Sequence, residues 1–197
     1  HWLQDDYVKF IRLSEHILEN SNQGVLAFIN NHAFIDNPTF RCMRYHLLST
    51  FDEIYILDLH GNVMKKEVSP NGEKDENVFD IQQGVSINIF IKRNGKSKGL
   101  ATVYYSELFG RREAKYDLLR SHSFEDIHWT KLDPNEPFYF FIPRNESNRD
   151  KYETGFSIKD LMPEHTTGIV TARDSLVIDS SEEALLHKIE AFVAPEK

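Results

Sequence analysis

The segment Asn77-Val78-Phe79-Asp80-Ile81-Gln82-Gln83-Gly84 carries the feature with the readiest chemical use. An aromatic ring beside a polar loop, just ahead of an alternating strand at 85–91, can serve as a stacking platform for a flat ligand such as a nucleic-acid base. The blander use of Phe79 is as a core anchor for a strand hairpin, and residue types alone leave both open. Asp58-Leu59-His60 puts an acid and an imidazole on one strand face, which reads as a structural or solvated pair. Nine histidines invite a metal, yet no His-Glu-x-x-His or comparable spacing occurs, so no metal site is assigned. Cys42 reads as a small packed residue, not a nucleophile. The nine glycines include no Gly-x-Gly pair, no Gly-Lys-Ser/Thr and no Gly-x-Ser-x-Gly elbow. Residue chemistry alone therefore assembles no complete active site. Residues 92–120 hold eight Lys/Arg against three Asp/Glu, either a solvated surface segment or a phosphate-facing patch.

The elements that must position these residues follow from the pattern. Tyr7, Phe10, Ile11, Ile17 and Leu18 share one face of an opening helix, which Asn20 to Gly24 ends. Val25–Ile29 is a continuous apolar run and predicts a strand covered on both faces in a parallel sheet. Asn37 and Pro38 start a second helix to about Leu48, with Phe40, Met43 and Leu47 inward. Residues 51–59 form a further buried strand, giving a right-handed strand-helix-strand crossover and an α/β class. After a polar loop at 62–77, the strand at 85–91 is expected to return antiparallel beside 51–59, followed by a strand at 100–105. Short strands are also predicted at 138–142, 168–171 and 176–178, and a last helix with Ser180 and Glu183 as its capping box.

Composition narrows the class. The 197 residues are 40% apolar, enough for one domain or one and part of a second, with no run of the length a membrane helix needs. One cysteine excludes an internal disulfide framework, and an acidic start unlike a signal peptide makes a reduced, cytoplasmic protein the expectation. A net charge of −8 argues against general coating of nucleic acid while allowing local phosphate contacts. The chain opens with His1 and is inside a helix by Tyr7, as a piece cut from a longer polypeptide would be; processing gives the same start.

Four segments in fixed order resemble one family: Gly24 to His32, Asn37-Pro38-Thr39-Phe40-Arg41, Phe51 to Gly61, and Lys74 to Val85. They are similar to the methyltransferase part of single-chain type ISP and type IIG-like restriction-modification enzymes, which methylate the exocyclic amine of adenine in DNA. The resemblance covers residues 1 to about 105; Thr167 to Asp174 less specifically resembles the passage into the target-recognition region. It implies the rear half of a Rossmann-like methyltransferase sheet ending in an antiparallel hairpin of 51–59 and 85–91, with Phe79 at the position that stacks on the flipped adenine. Residues 1–110 would then be a partial catalytic core, and 111–197 an extension with the start of target recognition.

The departures decide what the chain can do. The family's amine-gripping Asn/Asp-Pro-Pro-Tyr/Phe is absent, since no two of the seven prolines are adjacent, and so is the loop for S-adenosylmethionine. Both precede the opening helix in the family. The chain alone is thus expected to be inert, its partners being double-stranded DNA, the missing N-terminal half of the domain, and nuclease or translocase domains of one polypeptide. On charge, Arg93, Arg111, Arg112 and Arg173 are the candidate DNA contacts. The alternative is a non-catalytic α/β module for DNA or protein binding, derived from the same fold.

Overall fold

The computed structural model describes residues 2–95, 99–164 and 173–193. They fall into two compact units, His1–Arg144 and Asn145–Lys197. The first contains α1 (Asp6–Glu19), β1 (Gly24–Asn31), α2 (Ala33–Asp36), α3 (Arg41–Thr50), β2 (Glu53–Asp58), β3 (Val85–Lys92), β4 (Thr102–Glu107), α4 (Arg112–Ser121) and β5 (Thr130–Leu132). Residues 111–144 therefore pack with the sheet.

The five strands lie in the order β1-β3-β2-β4-β5. β3 pairs antiparallel with β2, Tyr55 opposite Ile89 and Asp58 opposite Ser86, which is the expected hairpin partnership. β3 also pairs antiparallel with β1, so β1 and β2 run parallel to each other with β3 wedged between them. β4 lies on the far side of β2, parallel to it. The class is mixed α/β with a partly parallel sheet.

Why β2 is central is plain from its residues: Ile54, Ile56 and Leu57 are buried, and successive side chains point to opposite faces. On one face Ile54, Ile56, Phe90, Val103 and Tyr105 join Ile11, Phe40, Leu47 and Leu48 in the main core. On the other, Leu57, Val78 and Val85 pack with Tyr116, Leu119 and Trp129. Asn37 starts the second helix as expected, its Oδ1 accepting the Thr39 N–H at 2.9 Å ahead of a single 3-10 turn, Pro38–Phe40, that leads into α3.

Five expectations need correction. β1 is not covered on both faces: it is an edge strand, with Val25 63% and Ile29 51% exposed while Leu26 and Phe28 pack on the core. An apolar run does not say which face finds a neighbour. Residues 138–142 form no strand, because Tyr139 sits at φ 51°, a left-handed conformation that interrupts extended chain. Phe141 is instead buried against the rim of α2, its N–H donating to Ile35 O at 2.9 Å. Residues 176–178 are not a strand either: Leu176, Val177 and Ile178 donate back to Arg173 and Asp174 carbonyls in a short helix. The last helix is capped by Ser181, whose Oγ accepts the Ala184 N–H at 3.1 Å, one residue later than the sequence pattern gave. Cys42, read as a packed residue, is exposed instead, because α3 turns Arg44, Leu47 and Leu48 inward and leaves Cys42 on its solvent side. The strand expected at 168–171 lies outside the described residues.

Arg44 of α3 fastens the 138–142 segment. Its guanidinium is fully buried and donates to Phe34 O, to Asn37 O at 2.9 Å, and twice to Phe138 O. Burial pulls its pKa down to about 10. Arg44→Ala would leave Phe34 O and Phe138 O without their side-chain donor, Asn37 O keeping the Phe40 N–H at 3.1 Å, and is expected to lower stability by roughly 2–3 kcal/mol in urea unfolding; a change under about 0.5 kcal/mol would mean that water satisfies them.

The second unit contains α5 (Arg149–Glu153), α6 (Ile158–Leu161), α7 (Asp174–Val177) and α8 (Glu182–Val193). Lys188 of α8 ties to Asp179 at 2.7 Å and to Ser175 O at 3.1 Å.

Candidate functional site

Phe79 stands on an irregular segment between β2 and β3 that is held from two sides. Gly61, at φ 78°, lies so close to Asn77 that a Cβ there would come within 2.4 Å of the Asn77 Cα; only glycine allows this approach. Asn77, buried, donates from Nδ2 to Gly61 O at 3.1 Å and Gln83 O at 2.7 Å, while its Oδ1 accepts the Phe79 N–H at 2.8 Å. From the other side α4 reaches the main chain. Lys115 Nζ donates to Glu76 O at 2.7 Å and Arg112 Nε to Asn77 O at 2.8 Å. Tyr116 Oη donates to Val78 O, and Arg112 Nη2 to Phe79 O at 3.0 Å. Four consecutive carbonyls are thus satisfied by one helix.

Beneath this lies a buried ion pair. Lys115 Nζ and Asp75 Oδ1 are 2.7 Å apart with both side chains fully buried. Asp75 also accepts the Gly61 and Gly110 N–H groups, and Lys115 also donates to Leu59 O. The anchoring role that sequence left open for Phe79 falls to its neighbour: Val78 is 3% exposed and Phe79 43%. The Phe79 ring borders an open cavity of about 600 Å³, with Asn77, Asp80, Ile81 and Arg112 around it.

A second polar cluster lies at the end of β2. His32 Nδ1 faces Asp58 Oδ1 at 2.9 Å, and Asn62 Nδ2 faces His32 Nε2 at 3.3 Å. His60, stacked on Phe109 with ring centres 3.7 Å apart, meets Glu107 at 3.2 Å and lies 3.7–3.8 Å from Asp58 and Glu67. One donor atom each of His32, Asp58 and His60 lies within 4.8 Å of the others, a cation-sized grouping in which His32 and Asp58 already serve each other. Burial alone would push Asp58 and Glu67 up, but the imidazoles hold both below their ordinary values. Burial alone would push His60 down, but Glu67, Asp58 and Glu107 hold it above 6.5.

The sign of the pH dependence follows. A lowered acid contributes stability above its ordinary pKa and loses it as pH falls; a raised histidine contributes it below 6.5 and loses it as pH rises through the folded value. The cluster therefore stabilises most between about pH 4.5 and 6.5. Stability measured by urea unfolding should decline from pH 6 upward, and His60→Gln should flatten that decline. A wild-type profile that is level from about pH 6 to 9 would contradict the assignment.

Of the candidate DNA contacts in the first unit, Arg111 and Arg112 are neighbours and Arg93 stands apart from them. Arg93 follows β3, at the opposite end from Phe79, and is paired with Glu53 at 2.7 Å. Arg112 is committed to the Phe79 segment and to Asp80 at 2.7 Å. Arg111 is exposed at the start of α4, beside Arg112. Arg173 lies in the second unit, exposed, just before α7. Lys115, Tyr116 and Asp75 were not singled out from sequence. The usable signal was the spacing Arg112, Lys115, Tyr116, Leu119, which puts all four on one helical face.

No family model matches the sequence, and no curated protein matches it. Solved structures do. The cryo-EM structure of a DrdV–DNA complex matches over 96% of this chain at 28% identity and TM-score 0.68. The ATP-dependent Type ISP restriction-modification enzyme LlaBIII bound to DNA matches over 96% at 26% identity and TM-score 0.69. The chain is similar to restriction-modification enzymes. A nuclease-deletion mutant of the Type ISP enzyme LlaGI, in complex with a DNA substrate mimic, shares the fold at 24% identity and TM-score 0.69 over 95% of this chain. This chain spans 20%, 13% and 18% of those three chains. Among the described residues no helix is long and apolar enough to cross a membrane.

Proposed function

We propose that this chain is the rear part of the catalytic domain of an adenine-specific DNA methyltransferase in a restriction-modification system, and that Phe79 receives the target base. The observation that carries the reading is Phe79 itself: a large apolar ring left 43% exposed at a cavity edge, on a main chain fixed at every residue from 76 to 79. A base in a duplex cannot reach a catalytic pocket, so it must leave the stack, and a flat ring held still in advance offers it a new stacking face. The antiparallel partnership of β2 and β3 and the likeness to DNA-bound enzymes support the same reading.

S-adenosylmethionine, when bound, supplies the methyl group; the family's loop for it and the tetrapeptide that grips the amine are both outside this sequence. What these residues do is receive and orient the base. The missing half of the domain docks on β1, whose outer edge has no partner strand among the described residues and whose Val25 and Ile29 stand exposed. Arg111 meets DNA phosphate. The nuclease and translocase parts belong elsewhere in the polypeptide. The reading frame ahead of this segment tests the proposal. It should encode a glycine-rich loop and an Asn/Asp-Pro-Pro-Tyr/Phe in frame; a frame without either leaves a non-catalytic module.

A further inference from the structure

We propose that Arg112 and Tyr116 of α4 are positioning residues for Phe79, setting where its ring stands without touching the base. The inference rests on the reading of Phe79 as the stacking residue. Loop carbonyls ordinarily face water. In this loop those of Glu76, Asn77, Val78 and Phe79 all accept from side chains of one helix, and the donors occupy positions i, i+3 and i+4 of α4. Lys115 secures the base of the loop through the Asp75 ion pair, while Arg112 and Tyr116 hold its outer two carbonyls. The Arg112 fork spans Asn77 O and Phe79 O, so it fixes the direction as well as the height of the main chain that carries the ring. Tyr116 packs in the second core with Leu119 and Trp129, so its hydroxyl arrives from a fixed ring. A stacking surface displaced by even 1 Å loses contact, which is why these two bonds matter for the reaction more than for folding.

The test is a double-mutant cycle in the complete polypeptide, reading single-turnover methylation and DNA affinity together. Tyr116→Phe removes the hydroxyl and keeps the ring's packing. Its expected effect is a rate lowered about 3- to 10-fold with DNA affinity nearly unchanged and the melting temperature only a few degrees lower, the cost of leaving Val78 O without its donor. In the Phe79→Ala background the same change should cost nothing further. Arg112→Lys, which keeps the charge and loses the fork, should behave like Tyr116→Phe. Equal losses from Tyr116→Phe with and without Phe79 would overturn the positioning role while leaving the base reading intact. An Arg112→Lys loss confined to DNA affinity and salt dependence would make Arg112 a phosphate contact and overturn its positioning role. A silent Phe79→Ala would remove the base reading itself, and the positioning role with it.

Discussion

Lys115→Met is expected to destabilise the first unit by about 3–5 kcal/mol, the cost of leaving a buried carboxylate without its counter-ion. Asp75 is fully buried, and the Lys115 ammonium is 2.7 Å from it. Removing the ammonium also strips donors from Leu59 O, which is buried, and from the half-buried Glu76 O. A fall of about 10–20 °C in the melting temperature corresponds to that loss in a unit of this size. Asp75→Asn added to Lys115→Met removes the orphaned charge and keeps one acceptor oxygen, enough for one of the Gly61 and Gly110 N–H groups that the two carboxylate oxygens now serve. The double variant should therefore recover part of the lost stability. Calorimetry of the wild type and the two variants decides it: a single substitution that melts within 3 °C of wild type would show that water enters the pair.

Phe79→Ala should behave in the opposite way. The ring is 43% exposed and its backbone bonds do not depend on it, so the melting temperature should move by no more than a few degrees. The methylation rate of the complete polypeptide should fall roughly 10- to 100-fold, matching the ~1–3 kcal/mol that an aromatic face contributes to an unstacked base. Phe79→Trp should retain most of the activity, because the larger ring still offers a face. A rate within twofold of wild type for Phe79→Ala would remove Phe79 from the reaction.

Much of the sheet was readable because apolar runs bounded by turn residues identify β2, β3 and β4, and the missing helix between 59 and 85 implied that β3 returns antiparallel. The position of β3 between β1 and β2 was not readable, since nothing in a strand's own residues states which neighbour it takes. α4 escaped for a different reason. Its inward face is Arg112, Lys115, Tyr116 and Leu119, two cations and a phenol among them, so the apolar period that marks a helix is missing. Phe79 was visible as an aromatic beside a loop; what holds it was not, because Gly61, Asp75 and α4 meet only in the fold. The pairing of His32 with Asp58 likewise joins positions 26 residues apart.

The most direct test transfers a tritiated methyl group from S-adenosylmethionine to plasmid DNA with the complete polypeptide, and identifies the labelled base after digestion. The expected result is label in N6-methyladenine at a limited set of sites, reduced at least tenfold by Phe79→Ala. No transfer, or label on cytosine, would contradict the proposal that this chain is part of an adenine methyltransferase.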